Sequence, residues 1–145
     1  MKVKDILAQK GTDCESIAPD VTVKEAIEII ATKRIGALVV IRDNKPVGII
    51  TERDIFRLVA AHNEAAFNKP VEESMTKNLV VGLPDDDIDV ARAYMTNNRF
   101  RHLPIIDNGK ICGIVSIGDI VKIEAKNLKV ENRYLQDYIT GKYPG

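Results

Sequence analysis

Tryptophan is absent from this 145-residue chain, and there are only three phenylalanines and four tyrosines. So few aromatic faces argue against a single-strand nucleic-acid binder, which relies on base stacking. A basic excess is missing too. Lys plus Arg and Asp plus Glu each number 21, giving a formal net charge of zero. Duplex nucleic acid and anionic membrane surfaces draw a broad cationic face, which this composition does not supply. The two cysteines, Cys14 and Cys112, lie far apart with no CxxC pair or Cys/His cluster. That pattern argues against a zinc site or a thioredoxin-like motif, and the thiols read as those of a reduced, cytoplasmic protein. No apolar run approaches the ~18 residues that a membrane span needs. The opening MKVKDILAQKG lacks the apolar core of a secretory signal.

Catalytic signatures are equally scarce. Neither GxxxxGK[ST] nor GxSxG occurs. Of the two histidines, His62 falls in a polar linker and His102 beside an apolar run. Cys14 is flanked by Asp13 and Glu15, which disfavour a thiolate. Asp85-Asp86-Asp87 reads as a solvated acidic cluster at a helix start, with a weak divalent-cation site as its other reading. These features point away from an enzyme and assign no metal.

What is present is a duplication. Shifted by 65 residues, Pro19 to Phe56 aligns without gaps on Pro84 to Val121, with 11 identities in 38 positions. They include Pro19-Asp20 on Pro84-Asp85, Arg34 on Arg99, Leu38 on Leu103, Gly48-Ile49 on Gly113-Ile114, and Asp54-Ile55 on Asp119-Ile120. Two copies are too few for a solenoid, so two halves packed about a pseudo-two-fold axis are expected. A single repeat of roughly 60 residues is marginal alone, and packing sheet to sheet is the expected remedy.

Each copy reads as β-α-β-β-α. A short apolar segment (Glu15 to Ala18; Leu79 to Leu83) precedes Pro-Asp. A helix follows, opened in the first copy by the capping-box pattern Thr22-x-x-Glu25, with Val23, Ala26, Ile27 and Ile30 on one face. The second copy's helix spans Asp87 to Asn98. Ala37 to Ile41 and Leu103 to Ile106 then pair with Val47 to Ile50 and Ile111 to Val115 across tight turns, of which Asn108-Gly109 is the stronger hairpin signal. Pro104 marks an edge or the opening of its strand. Val3 to Leu7 and Val71 to Met75 form helical turns leading into the copies, and His62 to Pro70 is a linker without a core pattern. The expected organisation is a first repeat with lead-in and linker over 1–66, a second over 67–127, and a helical tail over 128–145. Leu128, Tyr134, Leu135, Tyr138 and Ile139 are the tail's docking points.

The sharpest motif is Gly48-Ile49-Ile50-Thr51-Glu52-Arg53-Asp54, copied as Gly113-Ile114-Val115-Ser116-Ile117-Gly118-Asp119. A hydroxyl followed three residues later by an acid at a strand-to-helix junction is a helix cap, and needs no ligand. The same geometry also suits a nucleotide. The helix N-terminus attracts phosphate, the hydroxyl adds a hydrogen bond, and a carboxylate one turn on can accept both ribose hydroxyls.

Duplication, both motifs, both Pro-Asp helix starts and the Arg-His-Leu-Pro-Ile-Ile-Asp run at 101–107 together resemble the tandem CBS-domain proteins, named for cystathionine β-synthase and often called Bateman modules. The resemblance covers Val3 to about Ile123. It implies an α/β pair with two clefts for adenosine-containing ligands such as AMP, ADP, ATP, S-adenosylmethionine or NAD(H). By that analogy Asp54 and Asp119 hold ribose, and Thr51 and Ser116 sit near the first phosphate. Ser16, Ile17 and Ala18, Val81 to Leu83, and Gly36-Ala37 line the adenine pockets. Arg53 is placed for phosphate, whereas Gly118 stands at its counterpart. Arg101 and His102 replace Gly36 and Ala37, so the clefts differ. The implied function is a non-enzymatic nucleotide sensor, homodimeric, acting on an unidentified effector protein. The rival readings are an interaction scaffold whose motif hydroxyls only cap helices, and a nucleic-acid-binding CBS protein, which the zero net charge disfavours.

Overall fold

The computed structural model describes residues 1–11 and 14–139, with side chains described as far as Leu128 and at Arg133. The elements are α1 (Val3–Lys10), β1 (Ser16–Ile17), α2 (Val23–Lys33), β2 (Ala37–Arg42), β3 (Lys45–Thr51), α3 (Glu52–His62), α4 (Ile88–Asn98), β4 (His102–Asp107), β5 (Lys110–Ser116) and α5 (Ile117–Ile139). Short 3-10 turns cover Asn63–Asn68 and Val71–Glu73. The fold is the expected α/β pair of repeats.

The two hairpins are built alike. Asp43 and Asn44 both have positive φ, as do Asn108 and Gly109. That is the turn whose twist matches the flanking strands. Each hairpin shifts register at the same place, between Val40 and Ile41 and between Ile105 and Ile106. Leu38, Val40 and Ile50 face α2 and α3 in the first core. Their neighbours Ala37, Val39 and Ile49 are buried as well. A strand covered on both faces explains the unbroken apolar run.

One expected strand is missing, and Pro104 explains it. β1 lies parallel to β2, and the Val39 N–H donates to the Glu15 carbonyl at 3.3 Å. Pro104 occupies the position of Val39 and has no N–H to give. The segment Leu79 to Leu83 therefore keeps a single bridge, Gly82 to Ile105, and β4–β5 stays two-stranded. At α2, Thr22 Oγ1 accepts the Glu25 N–H at 3.3 Å, one half of the expected capping box.

The lead-ins are exchanged between the copies. Val3, Ile6 and Leu7 of α1 complete the core formed by Ile88, Ala91, Met95, Leu103, Ile105, Val115 and Ile120 of the second copy. Val71, with Met75 beside it, completes the core of the first copy. Both contacts use a strand glycine. A Cβ on Gly113 would lie 2.7 Å from Leu7 Cδ2, and one on Gly48 would lie 2.5 Å from Met75 Sδ. The linker contributes more than its sequence suggested, because Ala66 is wholly buried. Leu128 of the tail is exposed. The side chains of Tyr134, Leu135, Tyr138 and Ile139 lie outside the described residues.

Candidate functional site

Both strand-to-helix motifs are closed caps. The Thr51 N–H donates to Asp54 Oδ2 at 3.0 Å, the Thr51 hydroxyl donates to the same oxygen at 3.1 Å, and the Asp54 N–H returns to Thr51 Oγ1 at 3.2 Å. In the second copy the Ser116 N–H donates to Asp119 Oδ2 at 2.8 Å, and the Asp119 N–H donates to Ser116 Oγ at 3.0 Å. Each box satisfies helix N–H groups that would otherwise lack partners.

The surroundings differ. Asp54 opens on a cavity of about 870 Å³ between the copies. The first copy contributes Gly36, Ile49, Thr51 to Asp54, Phe56 and Arg57. The segment entering the second copy contributes Thr76 and Asn78 to Val80. The second copy contributes Asn98 to His102, Pro104, Ser116 and Gly118. That volume lies within the ~300–1,000 Å³ of small-molecule sites. Asp119 instead accepts Lys10 Nζ at 2.7 Å, and the same ammonium donates to the Ile114 carbonyl at 2.8 Å. Burial pushes the Asp119 carboxyl up, but the Lys10 and Ser116 bonds outweigh it and hold the group below the usual carboxylate range.

Seven of the sequence-predicted residues line this cavity: Gly36, Thr51, Arg53, Asp54, Arg101, His102 and Ser116. Ser16, Ile17, Ala18, Ala37, Val81, Leu83 and Asp119 are not among its lining residues. Ile17 is spent in the first core and Ala37 is buried where it pairs with Thr51. Leu83 is exposed, and its N–H is held by Asp86 Oδ2 at 2.9 Å. Sequence reasoning did not assign Asn78, Arg57 or Arg99. Arg57 stood one turn after Arg53, and Arg99 was an identity in the repeat alignment, so a signal for each was present.

His102 stands close against Gly36 in the wall. A Cβ on Gly36 would lie 2.7 Å from its Nε2, with Glu52 Oε1 at 3.4 Å. Burial pulls the imidazole below its ordinary 6.5, opposed by Glu52 and, more weakly, Asp119, and aided by Lys10 and Arg101. Nothing resembles an activated nucleophile among the thiols. Burial raises Cys14 to about 11, with Glu15 adding and Lys10 opposing. Burial and then Asp107 raise Cys112. In the acidic cluster, Asp85 pairs with Lys4 at 3.0 Å. Among the described residues no His/Cys/Asp/Glu group could hold a metal ion, and no helix is long and apolar enough to cross a membrane.

Comparison with known proteins gives a consistent picture. The CBS-domain family model matches residues 3–61 and 71–126. A 17.7 kDa uncharacterized protein of Acidianus ambivalens is 45% identical over 108 residues, spanning 73% of this chain and 64% of that protein. The crystal structure of the CBS-domain protein ATU1752 from Agrobacterium tumefaciens superposes with a TM-score of 0.83 at 41% identity, covering 86% of this chain and 99% of that one. The CBS pair of MJ0100, solved with 5-methylthioadenosine and S-adenosyl-L-methionine, gives 0.77 at 28% identity, with coverages of 88% and 98%. PAE2072 of Pyrobaculum aerophilum, solved with AMP, gives 0.73 at 25% identity, with coverages of 82% and 89%.

Proposed function

The chain belongs to the CBS-domain family, and on that premise we propose that it is a regulatory module whose inter-repeat cavity takes an adenosine-containing ligand. The observation that carries this is that Asp54 lines a cavity that both copies wall. Asp54 uses Oδ2 for the cap and turns its other oxygen to ribose. Ile49, Leu79, Val80 and Pro104 offer aliphatic walls for the base. Arg53, Arg101 and the α3 N-terminus take phosphate. AMP, ADP, ATP and NAD(H) share these parts. Two solved relatives, MJ0100 and PAE2072, were crystallised with adenosine compounds.

The protein does no chemistry on the ligand in this reading. Its output is a change in how the two copies pack, relayed to an effector protein through a homodimer in the cytoplasm. A ligand shifts such an equilibrium only through contacts that differ between the two states, and a cavity walled by both copies provides them. The second motif favours a separate reading. With Lys10 on Asp119, Ser116 and Asp119 act as a cap and a clasp for α1 rather than as a second nucleotide site.

Isothermal titration with AMP, ATP and NADH tests this. Binding that disappears in Asp54→Ala, with an unchanged circular dichroism spectrum, is the expected result. Silence of the folded protein toward all three at millimolar concentration overturns the proposal.

A further inference from the structure

We propose that α1 is the element of this protein that responds to ligand, and that occupancy of the cavity tightens its attachment through Ser116, Asp119 and Lys10. The inference rests on the nucleotide reading of the cavity and goes beyond it, because α1 supplies none of the lining residues. Two hydrogen-bonded steps separate the cavity wall from α1. Ser116 lines the cavity and holds Asp119 twice, its N–H donating to Oδ2 at 2.8 Å and its Oγ accepting the Asp119 N–H at 3.0 Å. The same Oδ2 accepts Lys10 Nζ at 2.7 Å. Ser116 stands opposite His102 in the β4–β5 ladder, and His102 lines the cavity as well. The charges of Lys10 and Asp119 both reach its imidazole, so the ion pair lies just behind the wall.

The Ser116 hydroxyl sets the direction of the effect. In the first motif the Thr51 hydroxyl donates to Asp54 Oδ2 at 3.1 Å. Among the described residues the Ser116 hydroxyl donates to no acceptor. A phosphate or ribose oxygen in the cavity can accept that proton, and a hydroxyl that donates becomes a better acceptor. Its bond from the Asp119 N–H then strengthens, and Asp119 is held more firmly in place for Lys10.

α1 is placed to pass this on. Its start is fixed by backbone bonds, from the Val3 N–H to the Asp86 carbonyl and from the Lys4 N–H to the Pro84 carbonyl, both at 2.9 Å. Its end is held by Leu7 against Gly113 and by the Lys10 ammonium, which bonds Asp119 and the Ile114 carbonyl. From that end the chain runs on to Glu15, whose carbonyl accepts the Val39 N–H of the first copy at 3.3 Å. The clasp therefore ties the second copy to the segment that enters the first, and tightening it bears on how the two copies pack.

Hydrogen exchange of the full chain, read by mass spectrometry on the peptide covering residues 1–11 with and without AMP, ATP or NADH at millimolar concentration, tests the inference. A ligand that binds in calorimetry should slow exchange in α1 about threefold. Coupling is reciprocal, so breaking the clasp should weaken that ligand by the same factor. Asp119→Asn separates the clasp from the field around it. It removes a negative charge near an anionic ligand, so a through-space effect would tighten binding, whereas loss of the clasp should weaken it about threefold and abolish the change in α1. Lys10→Met should show the same loss. Unchanged α1 exchange on binding, or Asp119→Asn binding as tightly as the parent or more so, overturns the inference and leaves the nucleotide reading standing. Binding of none of the three compounds overturns both.

Discussion

Lys10 Nζ sits 2.7 Å from Asp119 Oδ2, and the lysine comes from the helix that opens the chain while the aspartate belongs to the second copy of the motif. Leu7 and Met75 each rest on the strand glycine of the opposite copy. Aligned on that contact, Lys10 corresponds to Asn78, which lines the open cavity. An amide there cannot neutralise Asp54. One motif is therefore answered from within the chain, and its twin faces open space.

This asymmetry sets a first prediction. Asp54→Ala should abolish nucleotide binding, and Asp119→Ala should leave it within a few-fold of the parent. Lys10→Ala should let the Asp119 carboxyl titrate higher, because burial then acts with less opposition. Carbon-detected NMR titration of the aspartates reads this directly. The stability cost should stay below about 1 kcal/mol, since the pair is partly solvated. Equal loss of binding in both aspartate variants would rule the asymmetry out.

A second prediction concerns the exchanged lead-ins. Val71 lies in the core of the first copy and Val3 in that of the second, and both are fully buried. Truncating either to alanine should cost about 2 kcal/mol. A fragment of residues 1–66 lacks Val71 and Met75, so its sheet has an open core, and it should show no cooperative melt. A fragment of 1–66 that melts cooperatively would show that the exchange is dispensable.

How much of this was legible follows from where the repeat can be seen. The alignment starts at Pro19 and Pro84, so the hairpins, both long helices and both caps were readable from periodicity and spacing. The lead-ins precede that alignment, and which copy a short helix packs on is a tertiary matter that no local pattern encodes. The shrunken strand at Leu79 to Leu83 was half legible. Pro104 was marked as an edge, but the bond it removes is visible only once Val39 is seen donating to Glu15. The cavity needed the fold most. Arg57 and Arg99 lie 42 positions apart in sequence, and chain reversal brings them to one wall.

The wall at Gly36 yields a third prediction. Alanine there would place its Cβ 2.7 Å from His102 Nε2, closer than van der Waals contact permits. Gly36→Ala should destabilise the fold by about 1–3 kcal/mol and weaken any ligand of the cavity. His102→Ala removes the obstructing ring, so the double variant should recover most of that stability. A thermal-melt cycle of the two single variants and the double measures the coupling. Additive losses would mean that the two positions do not meet.

The same histidine makes stability depend on pH, and the sign can be worked out. Burial lowers the His102 pKa in the folded state below the ordinary 6.5, with Glu52 the main opposing charge, Asp119 adding to it, and Lys10 and Arg101 reinforcing burial. Between the folded and unfolded values the unfolded chain binds more protons, so stability rises with pH there. The contribution is complete above about pH 6.5 and is lost as the pH falls below it. Urea melts at pH 7.5, 6.5 and 5.5 should show a decline that His102→Gln flattens. A polyanion in the cavity acts in the opposite direction. It stabilises the imidazolium, so the protein should take up protons when ATP binds near pH 6. Calorimetry in buffers of different ionisation enthalpy counts those protons. Uptake that persists in His102→Gln would assign the titration to another group.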